Sequence, residues 1–241
     1  MAAPGARGLI AIPAYNEEPN LPGVLERVRA AGATEDVLVI DDGSKDRTAE
    51  VARSFGVIVE QHGENRGYKA GLATGMRYML DHGYDYLVFF DADGQHDPRY
   101  VADLRARALS PGGPDIVIGS RFVEDSGYKA PLGRKLGMAV FSYLTLVGGR
   151  RIRDTTSGFK LIKRRAVEIL VGQRFNDFHA EVIIFSLLAG LTVEEVPITG
   201  AEREAGQSMY SALDAIRYPA RTLAAIARLV PEARRIRKSR S

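Results

Sequence analysis

The 241-residue chain contains no cysteine. That excludes disulfides and thiolate chemistry and is compatible with a reducing compartment. No run of about 18 or more apolar residues occurs, so no membrane-spanning helix is expected. The longest apolar patches, around Met138–Gly149 and Val182–Leu191, suit buried or interfacial helices. The opening Met1-Ala2-Ala3-Pro4-Gly5-Ala6-Arg7 lacks the apolar core of a signal peptide, and a cytoplasmic location is the expectation. No histidine pair has zinc spacing. No Gly-x-Gly-x-x-Gly follows the first apolar segment, and no Gly-x-x-x-x-Gly-Lys-Ser/Thr appears anywhere. Dinucleotide oxidoreductases and P-loop enzymes are therefore disfavoured. What remains open is a nucleotide whose diphosphate is neutralised by a metal.

Most of the chain also lacks a basic surplus. From Arg217 to Ser241 there are eight Lys or Arg against one acid, Glu232, while the whole chain carries only +3. The remainder is thus slightly acidic. No aromatic interleaves with the terminal basic run, so nucleic acid is not an expected partner. A basic tail on an amphipathic helix fits peripheral contact with the anionic face of a membrane; a solvated terminus is the alternative. The apolar spacing of Leu213–Val230 predicts that helix, interrupted by Pro219 and Pro231.

What is present reads as a soluble α/β protein. At 26.3 kDa, 45% hydrophobic and 26% charged, the chain suits one large domain with a short appendage. Strand-like segments at Gly8–Pro13, Asp36–Ile40, Val57–Glu60, Asp85–Phe90 and Asp115–Gly119 alternate with helical ones. The helices are expected at Leu21–Ala31, Asp46–Phe55, Lys69–His82 and Pro98–Leu109. This rhythm predicts a mostly parallel sheet flanked by helices, with ligands beyond the carboxyl ends of the strands. Pro13 is expected to end sheet pairing of the first strand. After Ser120 the alternation loosens.

Polar signatures stand at those strand ends: Ala14-Tyr15-Asn16-Glu17, Asp41-Asp42-Gly43-Ser44 and Asp91-Ala92-Asp93-Gly94-Gln95-His96-Asp97. Two carboxylates one residue apart can grip one hard divalent cation, and magnesium and manganese share their oxygen ligands with substrate phosphates. Asp, Gly and His are also ordinary turn residues. By itself Asp-x-Asp is a weak signal; three acidic strand ends in successive units are a stronger one.

These motifs carry a resemblance. Ile12-Pro13-Ala14-Tyr15-Asn16-Glu17-Glu18, Val39-Ile40-Asp41-Asp42-Gly43-Ser44, Asn65-Arg66-Gly67 and Asp91-Ala92-Asp93-Gly94-Gln95-His96-Asp97-Pro98 resemble the family 2, GT-A-fold glycosyltransferases. Gly119-Ser120-Arg121-Phe122, Asp154-Thr155-Thr156-Ser157-Gly158-Phe159-Lys160, Glu195-Val196-Pro197-Ile198 and Arg203-Glu204-Ala205-Gly206-Gln207-Ser208 follow in order. Within that family the chain is similar to polyprenyl-phosphate sugar transferases, dolichyl-phosphate mannose synthases among them. The likeness covers roughly residues 8–210. It implies a Rossmann-like GT-A catalytic domain over 1–210 and an amphipathic, basic extension over 211–241. Members often carry a Lys after the Gly-x-Ser of the last motif, where this chain has Met209.

The resemblance also implies roles. Pro13, Ala14, Tyr15 and Glu17 would line the nucleobase and ribose pocket. Asp42 would contact the nucleotide, with Asp41 fixing the loop, and Lys69 would lie where the donor's base or phosphates approach. Asp91, Ala92, Asp93 and Gln95 would surround the donor diphosphate, with Mg2+ or Mn2+ on Asp91, Asp93 and Gln95. Arg121 and Arg134 would meet an acceptor phosphate; Arg203 and Ser208 would close a loop over the donor diphosphate. The implied reaction moves a hexose from GDP-mannose or a UDP-hexose to a polyprenyl phosphate with inversion. A phosphate acceptor needs arginines to position it. An alcohol acceptor would need a carboxylate base, for which Asp154, Asp177 and Glu181 are the candidates. A soluble GT-A enzyme acting on a hydroxyl, a nucleotidyltransferase and a non-catalytic sugar-nucleotide binder are the alternatives. Asn16 could instead cap the first helix, and His96 and His179 read as structural.

Overall fold

The computed structural model describes residues 5–123, 139–176, 178–199 and 212–239, with backbone alone for 212–221. Its first half alternates as expected. The strands are β1 (Gly8–Ala14), β2 (Asp36–Asp41), β3 (Ile58–Gln61), β4 (Tyr86–Phe89) and β5 (Ile116–Ser120). Between them run α1 (Leu21–Ala30), α2 (Thr48–Ser54), α3 (Tyr68–Asp81) and α4 (Tyr100–Leu109). A short helix over 139–144 leads into a 3-10 turn, Thr145–Gly148. Then come β6 (Lys160–Lys163), α5 (Arg164–Leu170), α6 (Ala180–Leu188), β7 (Val193–Pro197) and α7 (Ala212–Lys238).

Seven strands form one sheet in the order β3-β2-β1-β4-β6-β5-β7. All neighbouring pairs are parallel except those of β6, which runs antiparallel to β4 and β5. This reversal matters for function. Lys160 opens β6 opposite Phe89, so the loop preceding β6 is delivered to the carboxyl end of β4. The three acidic strand ends are neighbours too, because β2, β1 and β4 are adjacent.

Both faces of the sheet are apolar, as a sheet covered by helices on two sides requires. Along β1, Leu9 and Ala11 join the core beneath α3, while Ile10 and Ile12 join the core beneath α1 and α4. Helix α1 buries Leu21, Val24, Leu25 and Val28, the stripe a 3.6-residue period dictates. Each such side chain contributes roughly 1.5–3 kcal/mol when fully removed from water.

Two expectations are corrected. Pro13 does not end pairing: β1 continues to Ala14, opposite Asp41. The Ala14 carbonyl accepts from the Asp42 N–H and the Ala11 carbonyl from the Phe90 N–H. By alternation the Pro13 nitrogen faces the β4 side, where the strand has already ended, and no ladder donor is missed. Nor do prolines interrupt the C-terminal helix, which is continuous from Ala212 to Lys238. A mid-helix proline costs about 3 kcal/mol; burial of Leu229 and Ala233 in the core shared with α6 offsets Pro231. Among the described residues, no helix is long and apolar enough to cross a membrane.

Candidate active site

The ends of β1 and β2 are tied together by their loops. Asn16 adopts a left-handed backbone (φ 55°), its N–H donates to Ser44 Oγ, and its side-chain oxygen accepts from the Lys45 N–H. It therefore bridges two loops rather than capping α1, whose N-cap is Asn20. The Glu17 N–H donates to Thr48 Oγ1 and its carboxylate accepts from Asn20 Nδ2 at 2.7 Å. Pro13 and Ala14 are buried beneath this bridge, while Tyr15 is 40% exposed at its rim.

Asp41 and Asp42 are both buried, and each is committed to the protein. Asp41 accepts from the Ser44 N–H and from Gln61 Nε2, so it fixes its own turn. Asp42 does more. One oxygen meets His62 Nδ1 at 2.6 Å and the Arg66 N–H at 3.0 Å; the other accepts from the Gly67 N–H at 2.7 Å. His62 in turn reaches Thr74 Oγ1 on α3. Asp42 thus organises the Asn65-Arg66-Gly67 turn that opens α3. Gly43 makes this possible: at φ +71° a Cβ would sit 2.4 Å from the Glu64 carbonyl carbon. Lys69 stands exposed in the first turn of α3.

The Asp91–Gln95 loop leaves β4 at the centre of these contacts. Asp93 accepts from both the backbone N–H and the side-chain amide of Gln95, at 3.1 and 2.9 Å. Asp91 Oδ1 accepts from the Tyr68 hydroxyl at 3.0 Å. Its Oδ2 lies 3.6 Å from His96 Nε2. The Asp91 N–H donates to His96 Nδ1, which places the imidazole proton on Nε2, toward Asp91. Burial lowers the His96 pKa below its ordinary value, outweighing the Asp91 and Asp93 carboxylates, and keeps it neutral. His96 stacks on Phe159 and meets Phe90 edge-on, so it is scaffold as expected. Ala92 is buried behind the loop. Against Asp91 on the other side lies Gly158, whose Cβ would fall 2.6 Å from Asp91 Oδ2.

Arg121 was expected to face an acceptor phosphate. Its Nε and one Nη make a bidentate pair with Asp154, at 2.8 and 3.0 Å, and that Nη also reaches Thr156 Oγ1. Desolvation would raise the Asp154 pKa, but its hydrogen bonds and charge pairing with Arg121 win and lower it. The Arg153 and Asp154 N–H groups donate to Glu195 on β7. Asp154 is therefore an internal anchor for the loop that carries Gly158. Glu181 is buried on α6 and accepts from the Asn176 N–H at 2.8 Å. Arg134, Arg203, Ser208 and Asp177 lie outside the described residues.

Residue-type reasoning missed Tyr68, His62, Gly158 and Lys160. Gly158 and Lys160 stand inside the Asp154–Lys160 motif and Tyr68 directly follows Asn65-Arg66-Gly67, but the signal there is order along the chain, not what each residue touches. Lys160 is buried with its ammonium on the Ser157 and Phe178 carbonyls, beneath the same loop. No spacing rule finds a lysine used that way.

The donor set suits a hard cation. Asp91, Asp93 and the Gln95 amide offer oxygen ligands. Among the described residues, no three His, Cys, Asp or Glu side chains cluster to hold a metal. A partial oxygen shell completed by substrate phosphates and water is how Mg2+ is usually bound.

Residues 9–170 match the model of glycosyl transferase family 2. Polyprenol monophosphomannose synthase of Mycolicibacterium smegmatis is 34% identical over 220 residues, 86% of this chain and 82% of that one. Undecaprenyl-phosphate mannosyltransferase of Micrococcus luteus is 33% identical over 216 residues, 85% of this chain and 88% of that one. Glucosyl-3-phosphoglycerate synthase of Mycobacterium tuberculosis, solved with Mn2+, UDP and phosphoglyceric acid, superposes with a TM-score of 0.67. At 21% identity, over 94% of this chain and 79% of that one, this likeness speaks to the GT-A fold alone. The chain belongs to glycosyl transferase family 2 and is a glycosyltransferase.

Proposed function

We propose that this family 2 glycosyltransferase moves a hexose from a nucleoside-diphosphate sugar, GDP- or UDP-linked, to a polyprenyl phosphate with inversion at the anomeric carbon. The observation that carries the reading is its likeness, over more than four-fifths of its length, to two enzymes named for polyprenyl-phosphate mannosyl transfer. The site supports it from below. Sugar transfer builds positive charge at the anomeric carbon and negative charge on the departing diphosphate. A Mg2+ or Mn2+ ion held by Asp91, Asp93 and Gln95 would supply Lewis-acid stabilisation of that leaving group.

The chain's own residues prepare that place. Tyr68 and Gly158 hold Asp91 from two sides, and Gln95 holds Asp93. Pro13, Ala14, Tyr15 and Glu17 would line the base and ribose pocket, with the Asp42-organised turn and Lys69 opposite. A phosphate acceptor is already anionic near neutral pH and needs no general base. This fits the two described carboxylates that could have served an alcohol, because Asp154 is spent on Arg121 and Glu181 is buried. In this reading Arg121 positions the Asp154–Gly158 loop. Arg134, Arg203 and Ser208 would meet the phosphates. Residues 1–210 would be the catalytic domain and 211–241 its basic extension.

The test is transfer of labelled hexose from GDP-mannose and UDP-hexoses. The expected product extracts into organic solvent and is labile to mild acid. Label appearing only on a water-soluble alcohol would overturn the lipid acceptor; release of pyrophosphate in place of nucleoside diphosphate would overturn glycosyl transfer.

A further inference from the structure

In the sequence, peripheral membrane contact and a solvated terminus are both open for the basic C-terminal helix, yet several of its described apolar side chains are already used. Thr222, Ala225, Leu229 and Ala233 are buried, the last two in the core shared with α6. Among the described residues, Leu223 of that helix is 44% exposed, but most of the exposed apolar surface lies elsewhere. Val140, Tyr143, Leu146 and Val147 are 44%, 57%, 51% and 64% exposed, four of the six large exposed hydrophobics among the described residues. Val140 and Tyr143 lie one three-residue step apart on the short helix, Leu146 follows at the three-residue step of the 3-10 turn, and Val147 stands next to it.

That face is rigid. Its opposite side is pinned by Phe141 and Thr145, both buried; Thr145 Oγ1 donates to the Ser142 carbonyl and accepts from the Ile152 N–H. The apolar side chains therefore cannot be satisfied by turning inward. Arginines rim the ridge. Arg151 lies 4.1 Å from the Tyr143 ring centroid, and Arg150 is half-exposed and paired with Glu194. Glu194 is already paired with Arg107, so the rim keeps a positive excess.

We propose that the Val140–Val147 ridge, with Arg150 and Arg151, is a docking surface for an anionic lipid bilayer. Apolar anchors entering the acyl boundary beside cations at headgroup level is the arrangement of an interfacial helix. An aromatic ring under a guanidinium suits that boundary, apolar on one side and wet on the other. A two-fold contact between copies is disfavoured, because it would bring the same arginine rims together. The inference deepens the polyprenyl-phosphate reading and, in one respect, rests on it. Asp154 follows Arg151 by three residues, about 11 Å of chain at most. A docked ridge would hold the site near headgroup level, where a lipid's phosphate lies.

The test is flotation of the full chain with vesicles of equal parts phosphatidylcholine and phosphatidylglycerol, and with phosphatidylcholine alone. The wild type is expected to float with the anionic vesicles. Tyr143→Asp with Val147→Asp should lower that partition by about tenfold or more. Arg150→Gln with Arg151→Gln should erase the preference for anionic lipid. Both variants should keep the wild-type thermal midpoint. Three results would overturn the proposal: no flotation of the wild type, flotation of the ridge variant undiminished, or a light-scattering dimer that the ridge substitutions dissolve. The vesicles hold neither donor nor polyprenyl phosphate, so failure here leaves the acceptor chemistry standing. Transfer to a short-chain, water-soluble polyprenyl phosphate, expected to be unchanged in the ridge variant, reads that chemistry separately.

Discussion

Gly158→Ala should cripple transfer while leaving the fold intact. The added Cβ would sit 2.6 Å from Asp91 Oδ2 and 3.3 Å from Oδ1. Comfortable heavy-atom contact begins near 3.5 Å, so the carboxylate must retreat by roughly 0.9 Å. It is the far end of a side chain and can move, which keeps the cost in stability small. Yet its position is shared with the Tyr68 hydroxyl, and any rotation that clears the new methyl disturbs that bond. A misplacement of about 1 Å at a catalytic group costs on the order of a hundredfold in rate, or about 2.7 kcal/mol of barrier. The assay is release of nucleoside diphosphate under saturating donor and acceptor, with a Mn2+ titration alongside. The expectation is a kcat about a hundredfold lower, a weaker apparent affinity for Mn2+, and a thermal midpoint within about 2 °C of wild type. Transfer within about threefold of wild type at unchanged Mn2+ dependence would refute the claim that Gly158 sets the place of Asp91.

Asp93→Asn should abolish measurable turnover, and chelation of divalent ions should do the same to the wild type; retained activity in either case would count against the metal role. Gly43→Ala should destabilise by about 2–3 kcal/mol, because it adds left-handed strain to a clash with the backbone at Glu64; chemical denaturation reads the loss. Asp154→Asn should cost about 3 kcal/mol by removing the buried anion that the partly buried Arg121 guanidinium pairs with, and circular-dichroism melts would show it. The pH dependence follows from the same pair. The folded pKa of Asp154 lies below the ordinary 3.8, so the unfolded chain binds the extra proton first. Its stabilisation is present above that value and is lost as pH falls through the folded pKa. Melts of the wild type should therefore steepen downward below about pH 4, while the Asn variant should show a flatter acid limb.

Much of the first half was legible because alternation of apolar periods is a local property. Strand and helix bounds there fall within about two residues of expectation, the usual uncertainty of element ends. What local pattern missed were decisions made by neighbours. Pro13 reads as a strand breaker until β4 is seen to end beside it. Pro219 and Pro231 read as interruptions until the helix carrying them docks on α6. Arg121 reads as a contact for an acceptor phosphate, and its pairing with Asp154, 33 positions later, is visible only in the fold.

The order and chemistry of the motifs were enough to identify the α/β class and the family, and to single out the oxygen-rich loop at Asp91–Gln95 as the candidate metal site, because those depend on residue type at strand ends. Tertiary structure alone decided what each of those residues touches. The antiparallel β6 brings Gly158 against Asp91, the Asp42 carboxylate is spent on the Asn65-Arg66-Gly67 turn, and most of the large apolar side chains left in water among the described residues belong to 140–147. Such outcomes depend on which strands become neighbours and which faces find a core, and those contacts form between segments that lie far apart in the chain.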